Sequence, residues 1–189
     1  LLGQGRNRDA LSQLQTLNLG EALALLARLD DAIDVLKVGL QRYPASAALA
    51  DEMATVQLLA GQQEAAYATL QAAMARNRED RATETLYLRA LISGKSDNAT
   101  ALAEKLIAEH PQDAEILYLG ADLAWSAGNS ARAEELIKRS VAADAKDYKA
   151  QQLYGVLLME HGDLHAAEEH LKEAIALGDP EPDVRYELS

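Results

Sequence analysis

The 189 residues include 18 Lys and Arg against 30 Asp and Glu, and the resulting formal charge of −12 opposes nucleic acid and anionic membrane surfaces as partners. The absence of cysteine excludes a disulfide framework, a thiol nucleophile and a thiolate metal site, and leaves the redox compartment open. Hydrophobic residues make up 49% of the chain, enough for a core, and abundant Ala, Leu, Glu, Gln and Arg with no Phe point to helices. No apolar run approaches the roughly 20 residues of a membrane-spanning helix, so the expectation is a soluble cytoplasmic or periplasmic chain without membrane insertion.

In chain order the first segment is residues 1–17, where Gly5, Ala10 and Leu14 reproduce the second half of a helix-turn-helix unit. The turn residues then recur in one register. Ala27, Gly61, Gly94, Gly128 and Gly162 are separated by 34, 33, 34 and 34 residues. Gly5 precedes Ala27 by only 22, so either the next first helix is short by about 12 residues or a segment is missing near Asn18. The predicted units are residues 18–46, 47–79, 80–113, 114–147 and 148–180, with residues 181–189 as the start of a truncated sixth. That truncation predicts that the natural chain continues.

Each unit repeats the same columns. Five residues after the turn stand Ala32, Ala66, Ala99, Ala133 and Ala167; seven before it stand Gly20, Ala54, Tyr87, Ala121 and Gly155. Small residues on facing helices let the backbones approach closely. Nine after the turn, Leu36, Leu70, Ala103, Ile137 and Leu171 supply apolar filling. Pro44 and Pro111 stand seventeen after it and Pro180 eighteen, each ending a helix. Glycine suits the turn because a helix often closes on a left-handed residue, which makes Ala27 an exception with a strained closure.

These columns resemble the tetratricopeptide repeat, with residues 19–44 (LGEALALLARLDDAIDVLKVGLQRYP) as the best match and the Gly94 copy, which has Tyr87 in a small column and Leu106 where a small residue is usual, as the weakest. The resemblance spans nearly the whole chain. It implies an all-α, right-handed superhelical solenoid of antiparallel helix-turn-helix repeats. It further implies a protein-binding scaffold and not an enzyme, whose first helices line a concave groove.

Ten, six and three residues before each turn, the first helices would offer that groove Leu17, Glu21 and Ala24; Asp51, Thr55 and Leu58; Glu84, Leu88 and Leu91; Tyr118, Asp122 and Trp125; Gln152, Val156 and Met159. The expected site is therefore Asp51, Thr55, Glu84, Tyr118, Asp122, Trp125, Gln152 and Met159, an acidic and apolar face with an aromatic centre. Trp125 could instead belong to a core column, since Leu58, Leu91 and Met159 share its position. The Lys, Asn and Arg clamp with which some members hold acidic C-terminal tails is absent, so the implied partner is a basic or amphipathic segment of a protein. Self-association by stacking of uncapped terminal helices is a further possibility. The rival reading is a non-catalytic repeat region of a larger protein, such as a glycosyltransferase or a bacterial envelope export or secretion scaffold.

Other constellations give bland readings. His161, His165 and His170 with Glu168 and Glu169 are badly spaced for a metal, because positions five apart point in different directions on a helix. The stretch Ser93, Gly94, Lys95, Ser96 lacks the earlier glycine and preceding strand of a phosphate loop. No metal, cofactor or catalytic residue is expected.

Overall fold

The computed structural model describes residues 2–77 and 80–178, and of residues 2–11 the backbone alone. Among the described residues ten helices follow in order: α1 Leu2–Leu25, α2 Leu29–Arg42, α3 Ala47–Leu59, α4 Gln63–Arg76, α5 Arg81–Ser93, α6 Asn98–Glu109, α7 Ala114–Ser126, α8 Ser130–Ala143, α9 Tyr148–Glu160 and α10 Leu164–Ala176. The described residues are all-α, as the composition predicts. They divide into two compact units, Leu1–Ser96 with α1–α5 and Asp97–Ser189 with α6–α10.

Local chemistry sets the helix ends. The first helices open on a side chain that accepts a backbone N–H left over in the first turn: Ser46 from Leu49, Asp80 from Ala82 and Thr83, Asp113 from Ile116, Asp147 from Lys149. The first helices close in a common way. The residue after the left-handed position donates to the carbonyl five before it, as Gln62 does to Gln57, Asn129 to Ala124 and Asp163 to Leu158. Pro44 and Pro111 directly follow the caps Tyr43 and His110.

In the first unit α1, α3 and α5 touch in series as one layer, and α2 and α4 pack against them. The second unit repeats this, with α7 and α9 in contact and α8 and α10 against them. The alanine column lies at the centre of the packing, every member being at most 2% exposed. Gly20 and Gly155 show why the facing column is small. A Cβ on Gly20 would stand 2.8 Å from Leu36 Cδ2, and one on Gly155 would stand 2.6 Å from Leu171 Cγ, both closer than carbon atoms tolerate.

Two features depart from the sequence-based reading. α1 runs without interruption from Leu2 to Leu25, so the boundary expected at residues 17 and 18 falls inside a helix. Nothing in that stretch stops a helix: it has no proline, and Gly20 is used for the close approach to Leu36. The unit starting at residue 181 lies outside the described residues.

The second departure concerns the third turn. Gly61, Gly128 and Gly162 hold positive φ, and so does Ala27 at +57°, but Gly94 does not. The left-handed residue there is Lys95, at φ +52°, and Ser96 N–H closes the turn on the Leu91 carbonyl. Counted from Lys95, α5 matches α3, α7 and α9, each starting fourteen residues before the left-handed position. The residue missing from the 33-residue spacing is therefore lost after Lys95, where Ala99 follows by four and not five. Tyr87 accordingly leaves the small column. It is buried against α4, its ring 6.0 Å from Tyr67 in edge-to-face geometry and its hydroxyl 2.5 Å from Gln71 Nε2.

Candidate partner-binding face

The corrected register changes the seats on α5. Glu84 aligns with Ala50, Leu117 and Gln151, all buried, and is itself only 6% exposed. Its neighbour Thr85 takes the position of Asp51, Tyr118 and Gln152 but is buried at 5% exposure, so α5 offers no open seat there. In the same way Arg89 and Ile92 replace Leu88 and Leu91, both of which are buried. Glu84 therefore leaves the expected face, and a cationic residue joins it.

In the first unit the face carries Asp51 and Thr55 on α3, both half-buried. Asp51 Oδ1 accepts from Thr83 Oγ1 of α5 at 2.8 Å, which ties two first helices together. Burial pushes the Asp51 carboxyl up, and Asp80 adds to the rise while the Thr83 bond opposes it. Glu52 is raised too, by burial and then by the charge of Glu21. The Thr55 hydroxyl is spent on the Asp51 carbonyl at 2.8 Å.

In the second unit α7 presents Tyr118, Asp122 and Trp125, and α9 presents Gln152, Val156 and Met159, all half-buried. The positions three before the left-handed residue are Leu58, Ile92, Trp125 and Met159, and each is half-buried. Trp125 thus stands in a column at the edge of solvent and not in the core. Its indole N–H donates to both carboxylate oxygens of Glu160, each at 3.1 Å. Glu160 was not legible as a site residue, because Leu25, Leu59, Ser93 and Ser126 at its position share no chemistry.

Asp122, three residues before Trp125, shares its helical face. It is half-buried, burial raises its carboxyl, and among the described residues no hydrogen bond or ion pair reaches its side chain. This acceptor sits beside an aromatic ring without a donor of its own.

The histidines go to separate partners: His161 Nδ1 to Glu134 Oε2 at 2.9 Å, His165 Nδ1 to Glu169 Oε1 at 3.9 Å, and His170 Nδ1 to Gln151 Oε1 at 2.7 Å. His170 also lies on Tyr154, ring centroids 4.3 Å apart, and burial lowers its pKa. No described helix is long and apolar enough to cross a membrane.

Residues 90–157 match the family model of the tetratricopeptide repeat. The chain carries tetratricopeptide repeats over that stretch. Its solved relatives in structure include pilF of Pseudomonas aeruginosa, at TM-score 0.77 and 16% identity over 92% of this chain and 78% of that one. TTC0263, a thermophilic tetratricopeptide protein of Thermus thermophilus, superposes at TM-score 0.70 with 18% identity, covering 92% and 95%. YrrB, described as a tetratricopeptide protein with an unusual peptide-binding site, does so at 0.59 with 15% identity, covering 87% and 85%. Among the curated proteins nothing matches. At such identities the likeness extends to the fold of the repeats and not to their ligands.

Proposed function

We propose that the chain is a non-catalytic protein-interaction module whose first helices receive a basic or amphipathic segment of a partner. Asp51 and Thr55 form the seat in the first unit; Tyr118, Asp122, Trp125, Gln152 and Met159 form that in the second, with Glu160 holding the indole. The state of Asp122 carries the reading. A carboxylate drawn out of water without a partner costs free energy in the unbound chain, and a lysine or arginine side chain placed against it removes that cost. The adjacent Trp125 ring offers the same cation an aromatic face. Among the solved structures, YrrB is described by a peptide-binding site, which agrees with this use of the fold.

The test is calorimetric titration with a capped amphipathic peptide of alternating lysine and leucine. Asp51→Asn with Asp122→Asn should weaken binding about tenfold, and Trp125→Ala by a similar factor. Equal affinity of the peptide for wild type and both variants would rule out this face.

A further inference from the structure

The charge of −12 is not shared evenly. The first unit carries ten Lys and Arg against eleven Asp and Glu, the second eight against nineteen, so the two have formal charges of −1 and −11. In the second unit most cations are bound to carboxylates: Lys105 to Glu109, Arg132 to Glu104 and Glu135, Lys138 to Glu134, Arg139 to Glu135 and Lys172 to Glu168. In the first unit Arg28 pairs with Asp31, whereas among the described residues Lys37 on α2 and Arg76 on α4 have no ion-pair partner, as is also true of Arg42 and Lys95. Lys138 and Lys172 have a glutamate four residues earlier, whereas Lys37 has Ile33 and Arg76 has Ala72 there, and neither Asp34, three before Lys37, nor Asp80, four after Arg76, forms an ion pair with them. Arg76 Nη1 spends one donor on the Ala72 carbonyl at 3.1 Å, which leaves further donors of the guanidinium fork for a ligand.

Both cations border one groove of about 440 Å³ lined by residues of α2, α3 and α4. Lys37, Gln41 and Arg76, with Pro44 and Ala68, are its exposed rim, and the buried Ala50, Met53 and Ala73 are its floor. Among the described residues no carboxylate lines it. The groove is thus apolar below, cationic above, and set in the unit whose own charge is nearly balanced. Its lining is separate from the acidic face: neither Asp51 nor Thr55 contributes to it.

We propose that this groove is a second docking site, for an acidic segment of a partner protein that places an apolar side chain on Met53 and its carboxylates against Lys37 and Arg76. Guanidinium and carboxylate form paired hydrogen bonds, and Arg76 has the donors to make them. The flexible Met53 adapts to side chains of different shape. A polyanion such as nucleic acid is opposed by the chain's net charge of −12, whereas a short segment with one or two carboxylates meets little of that repulsion. The chain would then hold segments of opposite charge at two places, which suits an adaptor.

The site is tested by fluorescence anisotropy with a capped, labelled peptide of alternating glutamate and leucine, and with its glutamine counterpart. Lys37→Glu with Arg76→Glu is compared with Lys105→Glu plus Lys172→Glu, which changes net charge equally at exposed positions of the second unit. The first pair should weaken the glutamate peptide about tenfold or more and the second less than about twofold, and the glutamine peptide should bind more weakly than the glutamate one. Amide shifts on adding the glutamate peptide should centre on Lys37, Gln41 and Arg76. Equal losses in both double variants would reduce the effect to bulk charge, and no binding of the glutamate peptide would remove the site; either result overturns the proposal. So would shifts at Lys37 and Arg76 that follow protein concentration alone, which would give the groove to a second copy. Failure of the lysine peptide at Asp122 leaves this test untouched, because it uses other residues and the opposite charge.

Discussion

Lys95 occupies the left-handed region at φ +52°, where an L side chain costs about 1–2 kcal/mol relative to its usual conformation. A glycine there removes that strain but gains freedom in the unfolded chain worth about 0.5–1 kcal/mol. Lys95→Gly should therefore be stabilising by ~0.5–1 kcal/mol, a rise of about 2 °C in the thermal midpoint of a chain this long. Gly94 behaves in the opposite sense although its φ of −80° suits any residue. A Cβ there would overlap the Tyr67 hydroxyl, which donates to the Ala90 carbonyl at 3.1 Å. Gly94→Ala should be destabilising by about 1–3 kcal/mol through overpacking, and Tyr67→Phe, which removes the clashing oxygen, should recover part of that loss. A thermal double-mutant cycle reads this coupling; additive losses would show that the hydroxyl is not the obstacle.

At the scale of the helix, α7 combines a stabilising and a destabilising carboxylate. Asp113 caps its N-terminus at 3.1 Å from Ile116 N, whereas Asp122 is half-buried on its face without a partner among the described residues. Because burial raises the Asp122 pKa in the folded chain, the folded state binds the proton more readily than the unfolded one. Stability is then greatest below the unfolded value and declines as pH rises through the folded value. Asp122→Asn should accordingly raise the melting temperature at pH 7, and the gain should vanish once pH falls below the unfolded carboxyl range. A gain that persists in acid would place its origin in packing and not in the charge. The cap of α9 provides a reference: Asp147→Ala should cost ~1 kcal/mol, and Asp147→Asn, which still accepts from Lys149 N, much less.

The helices also decide what sequence spacing can convey. The period, the alanine column and the stops at Pro44 and Pro111 were legible because close packing and a missing donor leave little choice of residue. Register in the third copy was not legible. A single residue lost next to Gly94 can be placed on either side of the turn, and glycine marks the wrong side because Tyr67, not the backbone angle, requires it there. That slip of one position put Glu84 on the face and hid Arg89. The continuity of α1 was hidden in a different way, since Gly5 and Ala10 mimic a turn and its alanine inside an unbroken helix.

Across the whole molecule the second unit, with net charge −11, creates a field that acts before contact is made. At 0.1 M ionic strength the screening length is about 10 Å, so this field guides a basic segment only at low salt. Trp125 and Met159 act at contact range and hold the segment once it has docked. The two contributions separate kinetically. Raising salt from about 0.05 to about 0.5 M should slow association of the lysine and leucine peptide about tenfold, whereas Trp125→Ala should speed dissociation and leave association within about twofold. Stopped-flow measurement of both rates decides between them. Association insensitive to salt would mean that the acidic second unit does not steer its partner, and the charge imbalance would then need another cause.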